Sequence, residues 1–384
     1  MRILHVNSML SGGGTDERSV RVAWGVMQRG HTTWMAGPDR REFSKVVRDL
    51  GIPFCPISIT GWLKVPFIFG LARILRRERI QIVHARHGRD YWPTILAARL
   101  SGVRAKVVLS RHLAKSPSSW FSRRFLLQNC DAMVAVSEFT ARVMREGVFE
   151  PGAENPERRF RPPMRGDFNR IRVVYGGIDT DEFRPSDASA QRAEWKLEPG
   201  HYVFGVAGSY ALPRGKGQRE FLEAAARIHT EVPHARFLII GRGNLENILR
   251  ADIERLGLTG KAWLPAYSHD MPKVMNALDC LVHPQVGTEA LGSVVPEAHA
   301  CGKPVIASDL DGIAEGFRFA GYGQLVSPGS VGELADAMKT WARRPALDMP
   351  ARWELHARVA AAFSLPVAAK NLCDVYDDIM RRPG

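Results

Sequence analysis

The sequence predicts an α/β protein of two parallel-sheet domains, on three observations. Short apolar strands alternate with helical stretches along the chain, an order that folds into a parallel sheet wrapped by helices on both faces. A connector rich in Gly, Asp, Pro and Ser, within VVYGGIDTDEFRPSDASAQR, interrupts the alternation near residues 175–200. At 384 residues the chain is long for one core and comfortable for two domains of roughly 150 to 200 residues.

In the first half, strands are expected at Ile3–Val6, Thr32–Ala36, Ile80–His84, Lys106–Leu109 and Ala132–Val136, and helices at Glu17–Gln28, Ile68–Glu78 and Pro93–Leu100. The segment 150–172, EPGAENPERRFRPPMRGDFNRIR, has many arginines and prolines and little apolar periodicity, and reads as an exposed, mobile loop. The second half repeats the theme, with strands at Val203–Val206, Arg236–Ile240, Ala262–Leu264, Cys280–His283, Val305–Ser308 and Gln324–Val326. These are two Rossmann-like units without sequence repetition. Open sheets of this kind bind ligands beyond the carboxyl ends of their strands, so the expected site is a cleft shared by both domains.

Composition narrows the class. The chain is 45% hydrophobic and 24% charged, as in ordinary globular proteins. No stretch approaches the roughly 20 apolar residues that span a bilayer. The opening MRILHVNSML reads as a first strand and not as a signal peptide, because its apolar run is short and broken by polar residues. Cys55, Cys130, Cys280, Cys301 and Cys373 are odd in number and scattered, which points to reduced thiols in a cytoplasm and against disulfides or zinc. Charge is uneven: residues 1–180 carry 30 Lys+Arg against 15 Asp+Glu, and residues 181–384 carry 23 against 25. The first half is therefore expected to face something acidic.

The motifs that carry chemistry all follow strands. SGGGTDERS (11–19) brings Gly13 and Gly14 to the start of a helix, where backbone can approach a sugar or phosphate; it lacks the spacing of a dinucleotide fingerprint. GSYALPRGKGQREFLEAA (208–225) is not a P-loop, yet it places Arg214 and Lys216 at a helix entrance, where two cations can neutralise a departing diphosphate. IIGRGNLE (239–246) contributes Gly241, and KAWLPAY (261–267) a strand end at Leu264 whose main chain can pair with a base edge. In GTEALGSVVPEAHACGKPVIAS (287–308), Pro296 suits the first turn of a helix that starts near Val294–Val295 and stops at Gly302. Glu297 then lies in that first turn, placed to accept hydrogen bonds from the vicinal hydroxyls of a ribose. Glu289 stays in the loop and faces the sugar beyond the diphosphate, with Ala290, Leu291, Gly292 and Ser293 presenting backbone between the two acids.

Taken together these residues resemble a retaining, nucleotide-sugar-dependent glycosyltransferase of family 4, with the GT-B double-Rossmann fold. The matching pieces are Glu289 to Glu297 with AHACGKPVIAS, VVYGGIDTDEFRP (173–185), the Arg/Lys helix entry, the early glycine loop, VVLSRH (107–112) and AVSEFTARVM (135–144). GTEALGSVVPEA and GSYALPRGKG are most similar to enzymes that build lipopolysaccharide core or related surface glycans. The resemblance implies that residues 1–180, joined by a C-terminal helix in 366–384, bind the acceptor, and that residues 181–365 bind the nucleotide sugar. It implies that Glu297 holds the ribose, Glu289 the donor-sugar hydroxyls, and Arg214 and Lys216 the diphosphate, with His112 at the reacting centre. Two departures from the family pattern stand out: Ser209 replaces a frequent arginine, and Gly176 or Gly177 a frequent asparagine.

The expected reaction moves a sugar from a nucleoside diphosphate to a glycolipid or surface-glycan acceptor such as lipopolysaccharide core. Its transition state is expected to be oxocarbenium-like, with anomeric configuration retained, and the resemblance implies front-face attack in which the leaving phosphate takes the acceptor's proton. No metal cluster is evident, so no metal or other cofactor is expected beyond the sugar-nucleotide co-substrate. A sugar-nucleotide epimerase of the same fold is the nearer rival, and a basic nucleic-acid-binding protein the more distant one. Nucleic acid is not an expected partner: the arginine-rich segment suits it, but no binding motif is present. LAKSPSSWFSRRFLLQ (113–128) and GWLKVPFIFGLARILRRER (61–79) interleave apolar and basic residues, as in helices that lie on an anionic leaflet. The expected location is peripheral, on the cytoplasmic face of the inner membrane.

Overall fold

The computed structural model describes residues 1–9, 14–59, 64–149, 160–211 and 215–382. The chain separates into an N-terminal unit, Met1–Gly177 with Phe363–Gly384, and a C-terminal unit, Ile178–Ala362. The N-terminal strands are β1 (Arg2–Val6), β2 (Thr32–Gly37), β3 (Phe54–Pro56), β4 (Ile82–Ala85), β5 (Lys106–Arg111), β6 (Ala132–Ala135), a small antiparallel pair β7 (Val148–Phe149) and β8 (Phe160–Arg161), and β9 (Ile171–Val173). Its helices are α1 (Gly14–Gln28), α2 (Arg41–Asp49), α3 (Val65–Arg77), α4 (Tyr91–Leu100), α5 (Trp120–Asn129) and α6 (Glu138–Glu146). The sheet runs β3-β2-β1-β4-β5-β6-β9, every pairing parallel.

The C-terminal unit repeats that plan with α7 (Ser189–Glu194), β10 (Tyr202–Ala207), α8 (Gln218–Ile228), β11 (Ala235–Ile240), α9 (Glu246–Arg255), β12 (Ala262–Trp263), α10 (Met271–Ala277), β13 (Cys280–His283), α11 (Val294–Ala300), β14 (Val305–Ser308), α12 (Asp311–Arg318), β15 (Gly323–Val326) and α13 (Val331–Ala342). Its parallel sheet runs β12-β11-β10-β13-β14-β15. Both sheets reverse direction of growth beside their first strand, at β1/β4 and at β10/β13, and in doubly wound folds that switch point is where a ligand crevice opens. Strands such as Val203–Ala207 and Ile82–Ala85 are buried throughout, as a parallel sheet covered on both faces requires. Serine caps fix several helix starts: Ser119, Ser137 and Ser330 accept the amides of Ser122, Thr140 and Glu333.

After α14 (Met349–Phe363) comes α15 (Leu365–Arg381), which packs on α1 within the N-terminal unit. A Cβ on Gly25 of α1 would stand 2.9 Å from that of Ala369, so glycine sets this close approach. Tyr376 of α15 is fully buried and its hydroxyl bonds His84 Nδ1 of β4 at 2.6 Å.

Two expectations from the sequence are corrected. The described part of the segment 150–172 is exposed from Arg165 to Asn169, as expected, but it is anchored at two points: Met164 and Ile171 are buried, and Ile171–Val173 adds the last strand beside β6. Two well-spaced apolar anchors, too few to make a period, are enough to seat it. The described part of 61–79 is chiefly a core helix. Phe67, Leu71 and Leu75 fall on one face of α3 at i, i+4 spacing and are buried, Arg76 bonds Ser101 O at 2.8 Å, and Arg77 pairs with Glu78. Its apolar residues serve the sheet, leaving Val65 and Phe69 as the large hydrophobics exposed on that helix. Among the described residues no helix is long and apolar enough to cross a membrane.

Candidate active site

In the C-terminal unit the structure brings Lys216 and Glu289 together beyond the carboxyl ends of β10 and β13. The chain leaves β10 through Gly208, and Tyr210 ties this turn to the one after β11: its hydroxyl donates to Gly241 O at 3.0 Å, and its carbonyl accepts Leu245 N at 3.1 Å. A Cβ on Gly241 would lie 2.1 Å from Gly208 O, so the two turns meet backbone to backbone. What the structure gives Gly241 is this packing role.

Lys216 sits between Gly215 and Gly217 at the entrance to α8. Gly217, in the left-handed region at φ 85°, is the residue before the helix, and a Cβ there would fall 2.1 Å from Pro284 O. The glycine therefore lets the α8 entrance rest on the chain leaving β13. From that position the Lys216 ammonium forms an ion pair and hydrogen bond with Glu289 Oε2, joining residues 73 apart in sequence. Both side chains keep partial exposure, so a ligand can reach them.

His283, the last residue of β13 and not singled out from sequence, feels the charges of both Lys216 and Glu289. It is buried and neither ring nitrogen has a partner among the described residues. Burial pushes its pKa down to about 4, against an opposing pull from Glu289. It is a neutral imidazole with unused hydrogen-bonding capacity beside Gly292. Its sequence signal was its place at a strand's carboxyl end.

The loop from Glu289 is held on α12: Gly312 N donates to Glu289 O at 3.2 Å, and Gly312 lies so close to Ala290 O that no side chain fits. Ala290 and Leu291 are buried, Gly292 takes φ 65°, and Ser293 leads into α11. Glu297 is in the first turn of α11 and largely buried, where the helix's orphan amides favour negative charge. Leu264, just after β12, is also buried. Arg214 and Gly13 lie outside the described residues; Gly14 is the first residue of α1.

The N-terminal unit gathers a second polar cluster at the ends of β1, β4 and β5. Asn7 donates to Asp16 Oδ1 at 3.0 Å and to Ser19 Oγ at 3.1 Å, and His87 Nε2 stands 3.1 Å from the same Asp16 oxygen. Arg86, only 5% exposed, contacts His5 Nδ1 at 3.1 Å, while its Nε has no partner and no ion pair forms with a carboxylate among the described residues. His112, just past β5, is half-buried, with its ring 6.3 Å from that of His87 and its Nε2 unpartnered. Burial, then the charge of Arg86, lowers its pKa to about 3. Chemically this cluster offers a neutral imidazole and an uncompensated guanidinium, the pairing that suits a hydroxylated ligand bearing an anion. Arg86, His87 and Asp16 were not singled out from sequence, although HARHGRD follows a strand as the other motifs do.

Among the described residues no group of His, Cys, Asp and Glu is arranged to hold a metal ion.

Residues 201–344 match the family described as glycosyl transferases group 1, and residues 12–151 match glycosyltransferase family 4. The D-inositol 3-phosphate glycosyltransferase of Mycobacterium tuberculosis is 31% identical over 212 residues, covering 53% of this chain and 42% of that protein. The chain thus spans about two fifths of the length of the curated relatives it matches. HepE of Anabaena, solved in complex with UDP and glucose, superposes with a TM-score of 0.79 at 20% identity over 98% of this chain and all of that one. WaaB, a lipopolysaccharide outer core galactosyltransferase, superposes with a TM-score of 0.71 at 14% identity over 98% of this chain and 99% of that one.

Proposed function

Because the chain belongs to the group 1 glycosyltransferases of family 4 and has their GT-B fold, we propose that it transfers a sugar, with retention, from a nucleoside-diphosphate donor to a glycolipid or surface-glycan acceptor. The carrying observation is the Lys216–Glu289 pair, held by glycine turns at the switch point of the C-terminal sheet. A donor diphosphate would take Lys216 and, by the family resemblance, Arg214. Negative charge grows on that diphosphate as the glycosidic bond breaks, and a fixed ammonium stabilises it more in the transition state than in the ground state. Glu289, released from Lys216, accepts hydrogen bonds from the donor sugar. Glu297 accepts the ribose hydroxyls, and the backbone from Ala290 to Ser293 lines the diphosphate. In the N-terminal unit, neutral His112 hydrogen-bonds a sugar hydroxyl. Front-face attack, with the departing phosphate taking the acceptor proton, needs no enzymic nucleophile and no metal.

The acceptor is proposed to be acidic, such as a phosphorylated lipopolysaccharide core. Support comes from the basic N-terminal half and from Arg86, a buried guanidinium with no carboxylate partner among the described residues. Docking at the cytoplasmic face of the inner membrane is proposed through α5, where Trp120 is 62% and Phe121 50% exposed beside Arg123 and Arg124. Neither epimerisation nor nucleic-acid binding gains support from the matched families.

The experiment is a thermal-shift screen of UDP, GDP, ADP and their sugars, followed by turnover with the binder; UDP-glucose is the first donor to try, given HepE. Glu289→Ala and Lys216→Ala should each lower turnover by about 100-fold or more while the fold persists. Wild-type turnover in either variant would sink the mechanism.

A further inference from the structure

At the opposite edge of the C-terminal sheet lies a cavity of about 630 Å³. Part of its wall comes from residues that precede or open strands: Tyr202 opens β10, Asp279 precedes β13, Lys303 precedes β14 and Tyr322 precedes β15. All these strands are parallel, so the cavity is at their amino ends, whereas Lys216 and Glu289 stand at the carboxyl ends. Its volume is that of a small-molecule site, several times what one ion needs.

The charges on its wall do not balance. Of its two carboxylates, Asp279 is engaged by Arg192 at 3.0 Å and by Val203 N at 2.7 Å, and Asp187 accepts from the Ser189 hydroxyl. Lys303, Arg344 and Arg352 form no ion pair among the described residues. Arg352 is held by neutral oxygens, Asn276 Oδ1 at 2.7 Å and Cys301 O at 3.1 Å, and its Nε is buried without a partner. Arg344 lies over the Trp341 ring at 4.4 Å. Burial, with Arg352 the next cause, draws the Lys303 ammonium down to about 8. Lys303 and Arg352 feel the Asp279 carboxylate, which is itself engaged by Arg192. Three cations without an ion pair of their own among the described residues thus gather in a concave site, an arrangement that an anion relieves.

We propose that this cavity is a second binding site, taking a small phosphorylated sugar whose phosphate meets Lys303 and Arg352 and whose ring lies against Tyr202 and Tyr322. It is separate from the donor site and independent of the glycosyl-transfer reading. Its occupant has a route to that chemistry. Arg352 and His356 hold the carbonyls of Cys301 and Ala300 at the end of α11, the helix whose first turn carries Glu297. An anion that draws Arg352 away loosens that anchor.

The test is competition for Lys303. A limiting amine-acylating reagent at neutral pH, read by peptide mass spectrometry, should label Lys303, and glucose 6-phosphate at about ten times its Kd should slow labelling about tenfold. Inorganic phosphate should protect more weakly, and glucose and UDP not at all. Arg344→Gln, an exposed position, should fold normally and weaken the protection; Arg352→Lys should weaken it further. Labelling unchanged by glucose 6-phosphate, protection by UDP, or protection that survives both substitutions would each overturn the proposal.

Discussion

His112 shows how one side chain's surroundings fix what it can do. The charges that press on it, Arg86, His87, Arg18 and Arg111, are all ones that disfavour a second proton, and burial acts in the same direction. With its pKa near 3 instead of 6.5, the ring is neutral around and above pH 5, so it can hydrogen-bond but carries no charge to offer an anion. The linkage follows in sign. Between those two values the unfolded chain binds a proton that the folded chain refuses, so this histidine costs stability as pH falls through 6.5 towards 3. NMR of its ring nitrogens should show no titration between pH 8 and 5; a midpoint near 6.5 would contradict the cluster described here. Lys216 is the complementary case, a cation already satisfied by Glu289 and thus held ready without being buried alone.

At the scale of elements, the site depends on where strands end and on how closely the following turns pack. The α8 entrance rests on the chain after β13 because Gly217 has no Cβ, and its left-handed backbone would strain any other residue. Gly217→Ala should therefore lower the stability of the C-terminal unit by about 1–3 kcal/mol and weaken nucleotide binding with it. Denaturant melts with and without the bound donor measure both; unchanged midpoints would show that the two turns do not need this contact. Most elements could be read from pattern alone. The alternation of buried strands and helices, and Pro296 in the first turn of α11, leave strong local signals. β3, three residues long, leaves none, because so short a run shows no period and its pairing is made by a strand distant in sequence. The same limit hid the fate of α3: a basic, aromatic helix reads alike whether its apolar face meets a sheet or a bilayer.

Over the whole molecule, charge and exposed aromatic surface point the same way. Arg124 stacks against Trp120 and Phe125 on α5, and Phe121 packs between Trp92 and Phe125 while staying half in solvent. A patch of that kind, on the half of the chain with twice as many basic as acidic residues, suits an anionic interface to which each basic residue adds about 1 kcal/mol. In flotation assays the protein should rise with vesicles containing anionic lipid and not with neutral ones. Trp120→Ser with Phe121→Ser should abolish the association and leave turnover on a soluble acceptor intact. Equal binding to neutral vesicles would remove the electrostatic part of the argument.

By itself the sequence determined the two parallel-sheet units and the stretches, each after a strand, in which Lys216, Glu289 and Glu297 occur. Periodicity, turn residues and helix entries are local properties, written within a dozen positions. Only the tertiary structure decided that Lys216 meets Glu289, that His283 and Arg86 are buried with bonding capacity unused, and that α3 belongs to the core while α5 keeps its aromatics in solvent. Partner and burial are set by whatever the rest of the chain brings alongside, and no local pattern encodes it.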